Sequence, residues 1–200
     1  PYSDEESRWT AGDIELMSAF GETSVQTIVK NGYEHPDVQL LKLADGSVFM
    51  TFLDTDMSRG AAERTVLKYS IYKDGAWSEP KVVQNDSTAD FQPSICQIED
   101  GKVMIAWLSS DPAKQTTDKA EEYLSELEVY TAVINPSTGE VSEETQLTND
   151  NYYDYTPKCV YDEKTGDRIV YYVKTASDGS AEEMVNSFAN DCVVVYMLYS

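Results

Sequence analysis

A glycine followed six residues later by a large aromatic occurs three times in this chain, as Gly46 to Phe52, Gly101 to Trp107 and Gly166 to Tyr172. Each pair is preceded by a proline that opens an apolar run, at Pro36, Pro93 and Pro157, so the prolines step by 57 and then 64 residues. A fixed interior joined by segments of variable length marks a structural repeat. It constrains architecture far more tightly than it constrains chemistry.

One apolar segment lies between each proline and its glycine, at 38–43, 94–98 and 158–161. Asp45-Gly46, Asp100-Gly101 and Thr165-Gly166 supply the turns of three hairpins. The returning strands are expected at 48–53, 103–108 and 169–173. The run Val103-Met104-Ile105-Ala106-Trp107-Leu108 is apolar at every position, which predicts a sheet covered on both faces. Third strands fall at 65–72, 126–134 and 192–199. Trp77-Ser78-Glu79-Pro80-Lys81-Val82-Val83 and Val141-Ser142-Glu143-Glu144-Thr145-Gln146-Leu147 share a Ser-Glu pair and read as fourth strands. Residues 23–29, ahead of Asn31-Gly32, read as the fourth strand of a preceding unit.

Four antiparallel strands per unit, sheets buried on both faces and a period near sixty predict an all-β fold, a β-propeller whose blades stack around an axis. A β-sandwich would explain many short strands, but neither the constant glycine-to-aromatic offset nor the repeated Ser-Glu. Residues 1–21 are expected to form an N-terminal segment and 22–200 the propeller portion, with units near 33–84, 90–148 and 154–200. Closure takes four to eight blades. The expectation is therefore an incomplete propeller, about three blades plus the last strand of a preceding one, with the remaining blades supplied by the same parent chain or by a partner chain.

Composition narrows the partners. With 41% hydrophobic residues in 200, the chain can bury a full core. Its 15 basic against 36 acidic residues give a net charge of −21, a field that repels nucleic acid and anionic bilayers, so nucleic-acid binding is excluded. No apolar run approaches the roughly 20 residues a membrane helix needs, and no membrane insertion is expected. Pro1 to Arg8 is polar, unlike a signal sequence, so export plays no part or a leader has been trimmed. Cys96, Cys159 and Cys192 each sit in an apolar run and read as small buried hydrophobes, which leaves open whether any two form a disulfide.

The run Lys73-Asp74-Gly75-Ala76-Trp77-Ser78-Glu79-Pro80, between a third and a fourth strand, resembles a degenerate Asp-box of BNR-repeat, sialidase-like propellers. His35-Pro36-Asp37-Val38 through Asp45-Gly46 is similar to the inner strands of such proteins. The family's box places its glycine three residues before the tryptophan, whereas Gly75 is two before Trp77 and the second unit has Val141 instead. The resemblance implies that this turn is structural and lies on the face away from any active site. Sialidase-type catalysis in that family also implies an arginine triad. This chain has only Arg8, Arg59, Arg64 and Arg168, and the residues before the repeat prolines are His35, Gln92 and Thr156.

Strand alternation puts the fourth-to-first and second-to-third connections on one face, which therefore carries the long insertions 55–64, 109–125 and 174–191. Two insertions carry helix signals: Ala120, Tyr123, Leu124 and Leu127 share one stripe, and Ser180-Ala181-Glu182-Glu183 has capping-box spacing. The fourth-to-first connections add Tyr33, Glu34, His35, Asp90, Phe91, Tyr152, Tyr153, Asp154 and Tyr155 at the channel mouth. Aromatic faces stack on sugar rings or cations, and carboxylates hold sugar hydroxyls or hard cations. Tyr33, His35, Phe91, Tyr152, Tyr153, Asp154 and Tyr155 are thus the candidate ligand-binding set. Glu34, Asp90 and Asp154 are the candidate acid/base set of a glycoside hydrolase, a reaction that needs opposed carboxylates.

Asp54, Asp56 and Ser58 alternate like the start of a calcium loop and are the metal candidates, although Gly60 falls one position late and Thr65 stands where the twelfth-position Glu belongs. No other cofactor is expected. His35 is the only histidine, and no Ser/His/Asp or Cys/His constellation forms around it. Three functional readings follow: a non-catalytic extracellular or cell-surface module binding a glycan or a protein, a propeller glycoside hydrolase, and a structural segment of a larger surface protein.

Overall fold

The computed structural model describes residues 15–20, 24–30, 32–84, 87–110, 123–175 and 192–199. A leading hairpin, β1 (Glu15–Phe20) with β2 (Ser24–Lys30), is followed by three larger antiparallel sheets. Blade 1 holds β3 (Gln39–Lys42), β4 (Val48–Thr55), β5 (Thr65–Lys73), β6 (Ala76–Trp77) and β7 (Lys81–Val82). Blade 2 holds β8 (Asp90–Gln97), β9 (Val103–Ser110), β10 (Leu127–Asn135), β11 (Glu140–Val141) and β12 (Thr145–Gln146). Blade 3 holds β13 (Asp154–Asp162), β14 (Asp167–Thr175) and β15 (Cys192–Tyr199). The fold is an all-β, incomplete propeller. Among the described residues no helix is long and apolar enough to cross a membrane.

The blades stack through side chains that alternate along their second strands. In β9, Val103, Ile105 and Trp107 join the core shared with blade 1, while Met104, Ala106 and Leu108 join the core shared with blade 3. This is why the strand is apolar at every position. Phe52 points toward β2, Trp107 toward blade 1 and Tyr172 toward blade 2, so each repeat aromatic faces the preceding unit. All three are at most 2% exposed, and burying each contributes on the order of 2–3 kcal/mol. Among the described residues the opposite face of blade 3 is not covered in this way. Tyr171 is 39% exposed, whereas Thr51 and Ala106, at the same height in blades 1 and 2, are fully buried.

The two fourth strands are each interrupted at the shared Ser-Glu pair, giving β6 and β7 in blade 1 and β11 and β12 in blade 2. Ile71 N–H donates to Ser78 Oγ (3.1 Å) and Val133 N–H to Ser142 Oγ (2.9 Å), while each serine N–H donates back to the same residue's carbonyl at 2.9 Å. The hydroxyl thus supplies the acceptor that the broken strand's carbonyl cannot, keeping the ladder satisfied across the interruption. Upstream of it in blade 1, Asp74 and Gly75 (φ 53° and 89°) form the two-residue turn from β5 to β6, whose left-handed conformation favours glycine.

The first strands hold a feature that the proline spacing conceals. Gln39, Ser94 and Lys158 pair with Thr51, Ala106 and Tyr171, each of which immediately precedes a repeat aromatic. Two residues before them stand Asp37, Gln92 and Thr156, all left-handed with φ of 41°, 50° and 51°. In β8 and β13 the register slips here, between Phe91 and Ser94 and between Tyr155 and Lys158, as in a β-bulge. Proline is tolerated in a sheet interior at such bulges because no ladder donor is needed there. Pro93 and Pro157 occupy the bulges of blades 2 and 3, while Pro36 lies two residues earlier, level with Phe91 and Tyr155. Counted from these left-handed residues, His35 is the position equivalent to Asp90 and Asp154, which open β8 and β13, and Glu34 is one step out of phase with the two aspartates.

Candidate functional site

The bulges, the ends of the second strands, and Tyr123 and Leu124 ahead of β10 converge on one face, where they line a cavity of about 590 Å³ spanning all three blades. Blade 1 contributes Tyr33, Glu34, His35 and Asp37; blade 2 contributes Phe91 and Gln92; blade 3 contributes Tyr153. Tyr123, from the insertion, closes one side. Its ring meets Phe91 edge-on with centroids 6.3 Å apart, and its hydroxyl donates to Ala62 O of blade 1 at 2.9 Å. Burial, with Glu126 and Asp90 nearby, pushes the Tyr123 hydroxyl well above the ordinary tyrosine range, so it stays a donor. Of the helix signals, only Tyr123 and Leu124 are helical; Leu127 opens β10, and Ala120 and the 180–183 capping box lie outside the described residues.

Five of the sequence candidates therefore meet in one cavity: Tyr33, Glu34, His35, Phe91 and Tyr153. Tyr33 and His35 are edge-on at 6.1 Å, and His35 Nε2 lies 3.8 Å from Glu34 with its side chain 82% exposed. Tyr155 supports the wall from behind, stacked on Tyr153 at 5.2 Å. Tyr152 faces elsewhere, its ring 5.4 Å from the Lys174 ammonium. Gln92 is a lining residue that composition alone does not flag. It sits at the bulge, and its Oε1 accepts from Thr156 N–H of the next bulge at 2.6 Å.

Asp90 and Asp154 are buried and do not line the cavity. Asp90 is 3% exposed and fully engaged: Oδ2 accepts from Leu67 N–H of blade 1 (2.8 Å), and Oδ1 from Trp107 Nε1–H (2.9 Å) and Ser109 Oγ–H (3.1 Å). It ties blade 2 to blade 1. Asp154 is fully buried, and neither of its oxygens has a hydrogen-bond partner at ordinary length. The Lys174 ammonium is 3.7 Å away but is held more closely by Asp150. Burial pushes the Asp154 carboxyl up to about 7, and the Asp150 and Glu128 carboxylates add to the rise; the Thr148 hydroxyl and Lys174 oppose it. Burial alone would lower Lys174, but Asp150 and Asp154 outweigh it and hold the ammonium above its ordinary value.

Ligand oxygens of Glu128, Asp150 and Asp154 lie within 4.8 Å of one another and could hold a hard cation, although Lys174 already stands among them. Glu128 is fully buried at the start of β10, a position at which the sequence signals nothing. The calcium-loop candidates face other partners. Asp54 pairs with Lys68 at 2.6 Å and accepts from Thr55 N–H at 2.8 Å. Asp56 accepts from the N–H and hydroxyl of Ser58 at 2.9 and 2.6 Å and pairs with Arg59 at 3.3 Å.

The sequence matches no family model and no curated protein. Its fold is shared with solved structures. An ulvan lyase, described as a new family of polysaccharide lyase, superposes with a TM-score of 0.57 at 11% identity, covering 88% of this chain and 44% of that one. An endo-arabinase from Bacteroides thetaiotaomicron gives 0.51 at 15% identity, covering 88% and 59%. A Hadza microbial sialidase gives 0.54 at 11% identity, covering 70% and 32%. The chain thus spans between a third and three fifths of the length of these proteins, and the likeness establishes a sialidase-like propeller fold.

Proposed function

We propose that the mouth cavity binds a glycan, that the ligand is a neutral saccharide, and that the chain serves as a non-catalytic, extracellular or cell-surface recognition module. The observation that carries this reading is the cavity's make-up: aromatic walls from Tyr33, Phe91 and Tyr123 combined with hydrogen-bonding groups on Glu34, His35 and Gln92. Such a combination suits a sugar ring, whose faces are apolar and whose edges carry hydroxyls. Among the described residues the lining includes Glu34 and Asp37 but neither lysine nor arginine. A uronate, sialate or sulfated sugar would meet these carboxylates with no lysine or arginine among the described lining residues to offset them. The likeness to carbohydrate-active propellers supports a glycan ligand in general.

Binding to an array of neutral and anionic glycans tests this directly. Neutral glycans should bind, and Phe91→Ala should weaken binding at least about tenfold through loss of its stacking face. Binding confined to anionic glycans, or none by a folded chain, would refute the proposal. The hydrolase reading draws on Glu34 and Asp37 lining the same cavity. Turnover of a chromogenic neutral glycoside that disappears in Glu34→Gln would favour it over pure recognition.

A further inference from the structure

Two cysteines from different blades face each other across the seam between blades 2 and 3. Cys159 on β13 is buried and Cys96 on β8 half-buried, in the same hydrophobic cluster, and both are free thiols. The Cys159 N–H donates to Ser94 Oγ at 3.2 Å, and its sulfur lies 3.3 Å from Ser94 O and 3.6 Å from Met104 O. Met104 is the register partner of Cys96, and Ser94 lies two residues from Cys96 on the same face of β8. The Cys159 sulfur therefore sits in the hollow that Ser94, Met104 and Cys96 enclose. At the corresponding place in the seam between blades 1 and 2, Leu41 and Ile95 join one cluster. The later seam replaces a Leu/Ile contact with a pair of thiols.

We propose that Cys96 and Cys159 are a redox-modifiable pair that reacts with a small disulfide, such as oxidised glutathione, to form a disulfide locking blade 2 to blade 3. Cys96 is the attacking thiol. Its neighbour Cys159 holds it below the usual thiol range, helped by the Arg168 guanidinium, whereas Cys96 and burial push Cys159 well up. The Cys96 thiolate attacks one sulfur of the small disulfide, whose S–S bond breaks and releases one small thiol. Cys159 then gives up its proton and attacks the Cys96 sulfur of the mixed disulfide, releasing the second small thiol. Two protein thiols lose two electrons and two protons, and the reagent becomes two thiols. The mouth ends of the same two strands carry Phe91 and Tyr155, the latter stacked on Tyr153, so the bridge would stiffen one wall of the cavity.

Incubating the folded chain with excess oxidised glutathione should give a species lighter by two hydrogens, and peptide mapping without reductant should recover the Cys96 and Cys159 peptides joined. The thermal midpoint should rise by about 5–15 °C and return on reduction. Cys192→Ser should keep the bridge, and Cys96→Ser, at the more exposed position, should fold but lose both bridge and shift. A bridge through Cys192, a persistent mixed disulfide at Cys96, or no reaction while the denatured chain reacts freely would each overturn the proposal.

Discussion

Asp90 and Asp154 head equivalent strands in neighbouring blades, yet one carboxylate is saturated with donors and the other has none at hydrogen-bond distance. Each of Asp90's three donors has a counterpart in the next seam that is altered or diverted. Leu67 N–H corresponds to Val129 N–H, which donates instead to Thr148 Oγ at 2.8 Å. Trp107, with its indole N–H, corresponds to Tyr172. Ser109 corresponds to Lys174, whose ammonium is drawn to Asp150. The earlier seam uses its aspartate as mortar; the later one leaves a buried, titratable group beside Lys174, Glu128 and Asp150. The same backbone position can serve as a tether or as an electrostatic centre, and the residues around it decide which.

The most damaging way to probe this contrast is to remove the tether. Asp90→Ala should cost about 3–5 kcal/mol, because the Leu67 and Trp107 N–H groups are left buried and unpaired. Chemical denaturation would measure it, and a loss under about 1 kcal/mol would mean that water replaces the carboxylate. The matching change in the other seam should act in the opposite direction. Asp154 is raised from 3.8 to about 7, so the folded chain binds an extra proton between those values. Its contribution is fully present below about pH 4 and is lost as pH rises through 7, by at most roughly 4 kcal/mol. Asp154→Asn should therefore leave stability unchanged or higher at pH 8.

Thr148→Val, which strips the hydroxyl from Val129 N–H, should cost about 1–2 kcal/mol in the same assay. No loss would argue that the Asp154 carboxylate swings in to accept that donor, making the two seams alike. The smallest effect is expected outside both. Ser142→Ala removes one acceptor for Val133 N–H in the half-exposed fourth strand and should cost about 0.5–1 kcal/mol.

Much of the blade architecture is legible in the sequence because it rests on side-chain periodicity. The unbroken apolar run of β9, the glycine-to-aromatic offset and the Ser-Glu pair each have a direct structural counterpart, in two-sided packing, equivalent inward-facing aromatics and the hydroxyl-bridged interruption. The register of the first strands is not legible. A bulge shifts phase without changing composition, and proline stands beyond it in blade 1 but within it in blades 2 and 3. Aligning the prolines therefore sets Tyr33 level with Asp90 and Asp154, and grouping by connection sets Glu34 with them, when His35 is their true counterpart. The cavity's aromatics were approachable from the sequence because they sit in connections on one face. The Glu128, Asp150 and Lys174 surroundings of Asp154 were not, since they come from three separate segments that only the folded seam brings together.

The contrast between the seams is tested most directly by the unfolding free energy of the wild type, Asp90→Asn and Asp154→Asn from pH 4.5 to 8.5. Asp45 and Asp56, lowered chiefly by hydrogen bonds from Ser47 and Ser58, titrate below this window and do not confuse it. Stability should fall with rising pH in the wild type and in Asp90→Asn, and this slope should vanish in Asp154→Asn. A slope that survives in Asp154→Asn, or vanishes in Asp90→Asn instead, would contradict the assignment of the two aspartates.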